Sequence, residues 1–124
     1  MTDVHAVIGD VLESGHAVAF TATGSSMHPA IRSGERLVVD RVGANEIHRG
    51  DVVLAKLERG LTAHRVVRVA RRDGEVVEIV TRGDNCAEED PPFGTAQLVG
   101  RVREPRKSYK IIVMMRRWVR RGLP

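Results

Sequence analysis

Residues 51–81 read DVVLAKLERGLTAHRVVRVARRDGEVVEIVT. Three β-branched runs stand in this stretch, Asp51–Leu57, Thr62–Ala70 and Glu75–Thr81, separated by Arg59-Gly60 and by Arg71-Arg72-Asp73-Gly74. Valine-rich runs of this length bounded by Gly turns predict strands, and Asp-Gly between two of them predicts a tight hairpin. Strands joined by so few residues must run antiparallel, because a parallel pair needs a crossover of a dozen residues or more. Working outward, Ala17–Thr23 and Arg36–Val42 upstream and Gln97–Val102 downstream have the same character, with turn material at Ser33-Gly34, Arg49-Gly50-Asp51 and Pro91-Pro92. Ahead of them, Val4, Val7, Ile8, Val11 and Leu12 recur at helical spacing before Gly15, so residues 3–14 predict a short helix. The fold class is therefore mainly β. A short N-terminal helix over 1–15 precedes a small domain of antiparallel sheets over 16–104, and a basic amphipathic segment occupies 105–124.

The 124 residues suit one domain with one modest core, and the chain is 42% hydrophobic and 29% charged, a globular balance. Its formal charge is +4, unevenly spread. From Arg101 onward there are nine Lys/Arg and one acid, Glu104, a local balance of +8, while residues 1–100 hold 11 Lys/Arg and 15 Asp/Glu, a balance of −4. A mildly acidic body argues against a domain that grips nucleic acid with its whole face. No helix-turn-helix precedes the domain, and only Phe20, Phe93, Tyr109 and Trp118 are available for stacking. As a helix, Tyr109–Arg121 places Ile111, Ile112, Met114, Met115, Trp118 and Val119 on one side and Lys110, Arg116, Arg117, Arg120 and Arg121 on the other. Such a face either lies on an anionic membrane surface or packs on the β-domain. The β-branched content of Lys110–Met114 also permits a strand. The single Cys86 excludes an internal disulfide and any multi-cysteine zinc motif. Asp10 and Glu13 interrupt what would be a signal peptide's apolar core, and no run is long enough to span a membrane. The expected location is the cytoplasm or the cytosolic face of a membrane.

Three segments carry candidate chemistry. Gly24-Ser25-Ser26-Met27-His28-Pro29 is a hydroxyl-rich turn between two strand-like runs. A serine held at such a turn suits a nucleophile whose oxyanion needs nearby N–H donors, although the same composition also makes an ordinary solvated loop. His64 sits mid-strand, and alternation places His64, Val66 and Arg68 on one face and Ala63, Arg65, Val67 and Val69 on the other. An imidazole can take a serine's proton at neutral pH, or a strand histidine can simply be structural. The acidic loop from Thr81 to Asp90 contains Gly83-Asp84-Asn85, a turn former through side-chain-to-backbone bonding. It can supply a carboxylate to orient a histidine or hold a hard cation, and Cys86 with a histidine can hold a softer one. Neither cation reading has a recognised ligand spacing, so no metal or cofactor is expected.

The order of these segments says more than each alone. Gly24-Ser25-Ser26-Met27-His28-Pro29-Ala30-Ile31 is followed by Ser33-Gly34-Glu35-Arg36-Leu37-Val38-Val39 and then Arg49-Gly50-Asp51-Val52-Val53. His64-Arg65-Val66-Val67 comes next, then Arg82-Gly83-Asp84-Asn85 with Asp90, and finally Leu98-Val99-Gly100-Arg101-Val102. This succession, over roughly residues 18–103, resembles the type I signal peptidase family, within the wider grouping that includes self-cleaving SOS-type repressors. The resemblance implies a β-domain of coiled antiparallel sheets and no cofactor. It implies Ser26 as nucleophile, and it puts His64 where the bacterial housekeeping type has a lysine base and the endoplasmic-reticulum-type branch a histidine. It also implies a carboxylate that orients His64, with Asp90 the first choice and Asp84 the second. Gly24, Ser25, Met27 and Pro29 would line the oxyanion and substrate region.

The reaction so implied is acyl transfer by a serine endopeptidase on an extended peptide or protein substrate with small residues before the cut. The alternative is a catalytically idle member serving as a peptide-binding or partner-docking module. Three departures from the family pattern stand out. The family's N-terminal membrane anchor is not seen. Gly24 occupies the position where bacterial members carry an oxyanion-donating hydroxyl, leaving the Ser26 backbone N–H, with Thr23 or Ser25 as the candidate second donor. Glu35 replaces the usual aspartate of the second block.

Overall fold

A computed structural model describes residues 11, 12 and 14–103. Six strands follow one another: β1 (Val18–Thr21), β2 (Arg36–Asp40), β3 (Val52–Leu57), β4 (Gly60–Arg72), β5 (Glu75–Arg82) and β6 (Leu98–Val102). They form one antiparallel sheet in the order β1-β2-β6-β3-β4-β5, and short 3₁₀ turns at Ala44–Glu46 and Thr95–Gln97 interrupt the connections. The molecule is thus mainly β, with each strand within a few residues of its expected place. Of the expected N-terminal helical segment Val11, Leu12, Ser14 and Gly15 are described: Val11 and Leu12 are helical, with Leu12 buried, and Ser14 and Gly15 already form a turn. The rest of that helix and the basic segment 105–124 lie outside the described residues.

The β3-β4-β5 meander is built by two tight turns. Leu57 pairs with Gly60 across Glu58-Arg59, and at the β4–β5 turn Asp73 and Gly74 both take positive φ (53° and 82°). Two consecutive positive-φ residues match the right-handed twist of the flanking strands, which is why Asp-Gly stands there.

The sheet coils so that β3 is covered on both faces. Val52 and Leu54 face one hydrophobic cluster, with Met27, Ile31, Leu37, Val39 and Val102; Val53 and Ala55 face a second, with Ile47, Val66, Val76, Ile79 and Phe93. Successive strand side chains alternate faces, so an unbroken apolar run such as Val52-Val53-Leu54-Ala55 fits only a strand buried on both sides. The two clusters share β3 as their common wall.

One expectation about β4 is corrected. Strict alternation would keep Arg68 on the face of His64 and Val66, and Val69 on the other. The register instead steps from Val66↔Thr81 to Arg68↔Val80, leaving Val67 without a partner. This bulge reverses the phase: Val69 packs with Val66 in the second cluster, and Arg68 points to solvent, paired with Glu89.

Candidate active site

The serine loop is anchored by its apolar neighbours. Met27 and Ile31 are buried in the first cluster, one turn apart, with the Ile31 N–H bonded to the Met27 carbonyl (2.9 Å). Gly24 adopts φ +82°, where an L side chain is strained, and so turns the chain out of β1 toward Ser26. Ser26 is half-buried, whereas Ser25 and Pro29 are exposed and, unlike the expected Gly24 and Met27, do not line the cleft that opens beside Ser26.

β4 brings His64 to this loop. His64 pairs across the sheet with Val53 and is 2% exposed. Its Nδ1–H donates to Asp90 Oδ2 (2.6 Å), which leaves Nε2 to accept the Ser26 hydroxyl (3.1 Å). Asp90, 6% exposed, reaches this position because its backbone N–H bonds the Thr81 carbonyl at the end of β5 (2.8 Å). The Thr81 hydroxyl also donates to Asp90 Oδ2 (2.7 Å), and the Arg59 guanidinium is ion-paired with Oδ1. Burial pushes the Asp90 carboxyl up. The hydrogen bonds from His64 and Thr81, with the fields of His64 and Arg59, outweigh burial and hold it below its ordinary value.

Asp84, the second expected partner for His64, is committed elsewhere. Its two oxygens take Arg65 Nε and Nη2, each at 2.9 Å, while Arg65 Nη1 donates to the Gly50 carbonyl (2.8 Å). His64 and Arg65 are successive on β4 and project to opposite faces, so a carboxylate that serves Arg65 is on the wrong side for His64. The Asp84 N–H meets the Met27 sulfur (3.3 Å), on the side of the first cluster.

The Gly83–Asn85 turn ties serine loop and β4 together. The Asn85 N–H donates to the Ser26 carbonyl (2.8 Å), and its side-chain Nδ2 donates to the Ser25 carbonyl (3.1 Å). Gly83 lies against both partners: a Cβ there would come within 2.7 Å of the Ser26 carbonyl oxygen, 3.0 Å of His64 Nε2 and 2.6 Å of Cys86 Sγ. Only glycine leaves room for the serine loop and the imidazole to meet.

A cleft of about 370 Å³ opens beside Ser26 and His64, between β1 and the first half of β4. Its walls include Phe20, Ala22, Leu54, Leu61 and Ala63, and its rim includes Thr23, Gly24 and Arg59. Among the described strands, β1 bonds only to β2, and Gly60–His64 bond only to β3, so both flanks present free strand edges to the cleft.

Arg59 and Thr81 also touch Asp90, and the sequence motifs do not mark them. Thr81 opens the acidic loop, and Arg59 is half of a turn dipeptide. Nothing in the local composition of either sets it apart. Among the described residues no three His, Cys, Asp or Glu side chains gather as a metal site would require.

A Ser–His–Asp hydrogen-bonded chain beside a cleft in a coiled antiparallel sheet defines a peptidase-type β-domain. The Peptidase S24-like family model matches residues 3–103, and the chain belongs to that family. It is also similar to the signal peptidase complex catalytic subunit SEC11C of Homo sapiens, Canis lupus familiaris and Mus musculus, at 29% identity over 82 residues in each case. The alignment covers 64% of this chain and 43% of each relative, so the chain spans less than half the length of the curated relatives it matches. No described helix is long and apolar enough to cross a membrane.

Proposed function

We propose that this chain is a serine endopeptidase of the Ser–His type, like the endoplasmic-reticulum branch of signal peptidases, and that it cleaves an extended peptide by acyl transfer. The observation that carries the reading is the continuous chain Ser26 Oγ–His64 Nε2, His64 Nδ1–Asp90 Oδ2, at 3.1 and 2.6 Å, at the wall of an open cleft. Ser26 Oγ attacks the scissile carbonyl while His64 Nε2 takes its proton. The imidazolium then returns the proton to the leaving amine, with Asp90 holding the ring and its charge in place. Water, activated by the same nitrogen, releases the acyl group from Ser26.

A substrate strand seated between β1 and Leu61–Ala63 has backbone partners on both sides, which is recognition by strand addition. The modest apolar cleft favours small side chains next to the cut. The Ser26 backbone N–H is the first oxyanion donor. Thr23 is better placed than Ser25 to be the second, because Thr23 lines the cleft and Ser25 does not. The basic segment 105–124 is proposed to touch an anionic membrane surface from the cytosolic side, which liposome flotation of the intact chain against a chain lacking residues 104–124 would test.

The chemistry is tested with a serine-directed acylating probe on the intact chain, beside Ser26→Ala and His64→Ala. Labelling is expected of the parent protein alone. Equal labelling of all three overturns the proposal. Peptide binding untouched by Ser26→Ala, with no turnover of any peptide library, favours the idle docking module, which the missing hydroxyl at Gly24 makes the rival reading.

A further inference from the structure

Arg59 belongs to none of the motif blocks, yet it completes the coordination of Asp90. The Asp90 carboxylate receives three side-chain donors, unevenly shared: His64 and Thr81 both bond Oδ2, and Arg59 alone holds Oδ1. A carboxylate turns readily about its terminal torsion, because the barrier there is broad and two-fold. Two donors on one oxygen leave that rotation open; a guanidinium on the other oxygen closes it. The position of Arg59 is itself fixed. It lies in the two-residue turn between paired Leu57 and Gly60, and His64 follows Gly60 on the same strand. The hairpin that delivers the imidazole thus also delivers the clamp on the imidazole's partner.

The exposure of Arg59 argues that stability alone does not explain the pair. Its side chain is 59% exposed, whereas that of Asp90 is 5% exposed. The exposed guanidinium is screened by solvent, and its loss is felt chiefly at the buried carboxylate, which is left with one donor fewer. The pair spans the boundary between the cleft, which Arg59 lines beside Ser26 and His64, and a second hollow lined by Pro91, Pro92 and Phe93. The guanidinium is the solvent-exposed partner of a buried carboxylate.

We infer that Arg59 is a positioning residue, which fixes the Asp90 carboxylate from the β3–β4 turn and through it keeps the His64 ring with Nε2 toward Ser26. The kinetic consequence rests on the proposed peptidase reading; the structural consequence does not.

The test uses the full chain labelled with nitrogen-15, as parent protein, Arg59→Met and Arg59→Lys, with His64→Ala to assign the ring signals. At about pH 8, where an ordinary imidazole is neutral, the parent is expected to show His64 protonated on Nδ1, with a downfield Nδ1–H proton. Arg59→Met is expected to lose that downfield signal and mix the tautomers while its far-ultraviolet circular dichroism stays unchanged, and Arg59→Lys is expected to restore it. If Arg59→Met misfolds, Arg59→Ala, which also removes the donor, is read in its place against the Lys variant. A His64 spectrum in the Met or Ala variant identical to the parent's overturns the inference. In peptide cleavage, kcat should fall roughly ten- to a hundredfold in Arg59→Met, the scale of a small misplacement of reacting groups, with KM within about twofold and Lys recovering most of the loss. A raised KM with unchanged kcat would make Arg59 a substrate contact and also overturns the inference. Should the parent fail to cleave or acylate at all, the peptidase reading falls, and the ring spectra still decide the role of Arg59.

Discussion

Asp90 is a buried carboxylate with a full set of donors, and its behaviour with pH follows from that. Its folded-state value lies below the ordinary one, so the ionised form stabilises the fold at pH above the unfolded carboxylate value, about 4, and that stability is lost as pH falls through the folded value. Asp90→Asn removes the titration. The difference in melting temperature between parent and variant should be constant near neutrality and shrink below about pH 4, as differential scanning calorimetry across pH would show. A difference that widens on acidification contradicts the assigned direction. The choice between Asp84 and Asp90 was open in the sequence for a physical reason. Both stand in the same acidic loop, and what separates them is the strand face, since Arg65 and His64 project oppositely and each is hydrogen-bonded to a different carboxylate.

The bulge at Val67 and the glycine at position 83 decide how the elements meet. The strands were legible because each combines β-branched residues with Gly or Pro boundaries, and the Asp73-Gly74 hairpin because its turn chemistry is local. The phase of β4 beyond Val66 was not legible, because a bulge depends on the partner strand's register rather than on the bulged strand's own composition. Gly83 is a similar case: nothing in Arg82-Gly83-Asp84 states that a carbonyl of the serine loop lies against it. Gly83→Ala should cost roughly 1–3 kcal/mol of stability, the usual scale for overfilling a packed site. It should also reduce probe labelling of Ser26. Gly74→Ala strains a positive-φ position at the far end of the hairpin, costing about 1 kcal/mol, and should leave labelling of the folded protein unchanged. Denaturant melts paired with labelling separate the two, and equal loss of labelling in both would remove the special role given to Gly83.

At the scale of the molecule, two clusters divided by β3 are expected to unfold as one cooperative unit, because Val52 and Leu54 serve one and Val53 and Ala55 the other. Ile31→Val in the first and Ile79→Val in the second should each cost about 0.5–1.5 kcal/mol. The double variant should equal their sum to within about 0.5 kcal/mol and still unfold in a single transition. Two separated transitions in urea would show that the clusters unfold independently. The net positive charge bears little on this architecture, since the Lys/Arg excess sits from Arg101 onward and residues 1–100 carry a balance of −4.

The spacing of the hydrogen-bonded chain along the polypeptide also sets a time course. Ser26 and His64 are 38 residues apart and His64 and Asp90 are 26 apart, and each junction exists only when distant strands have paired. Sheets dominated by such non-local pairing form in milliseconds to seconds rather than microseconds. During synthesis the serine leaves the ribosome well before the segment carrying its hydrogen-bond partners, so under the proposed function the nascent chain stays inert until β5 and the loop behind it are home.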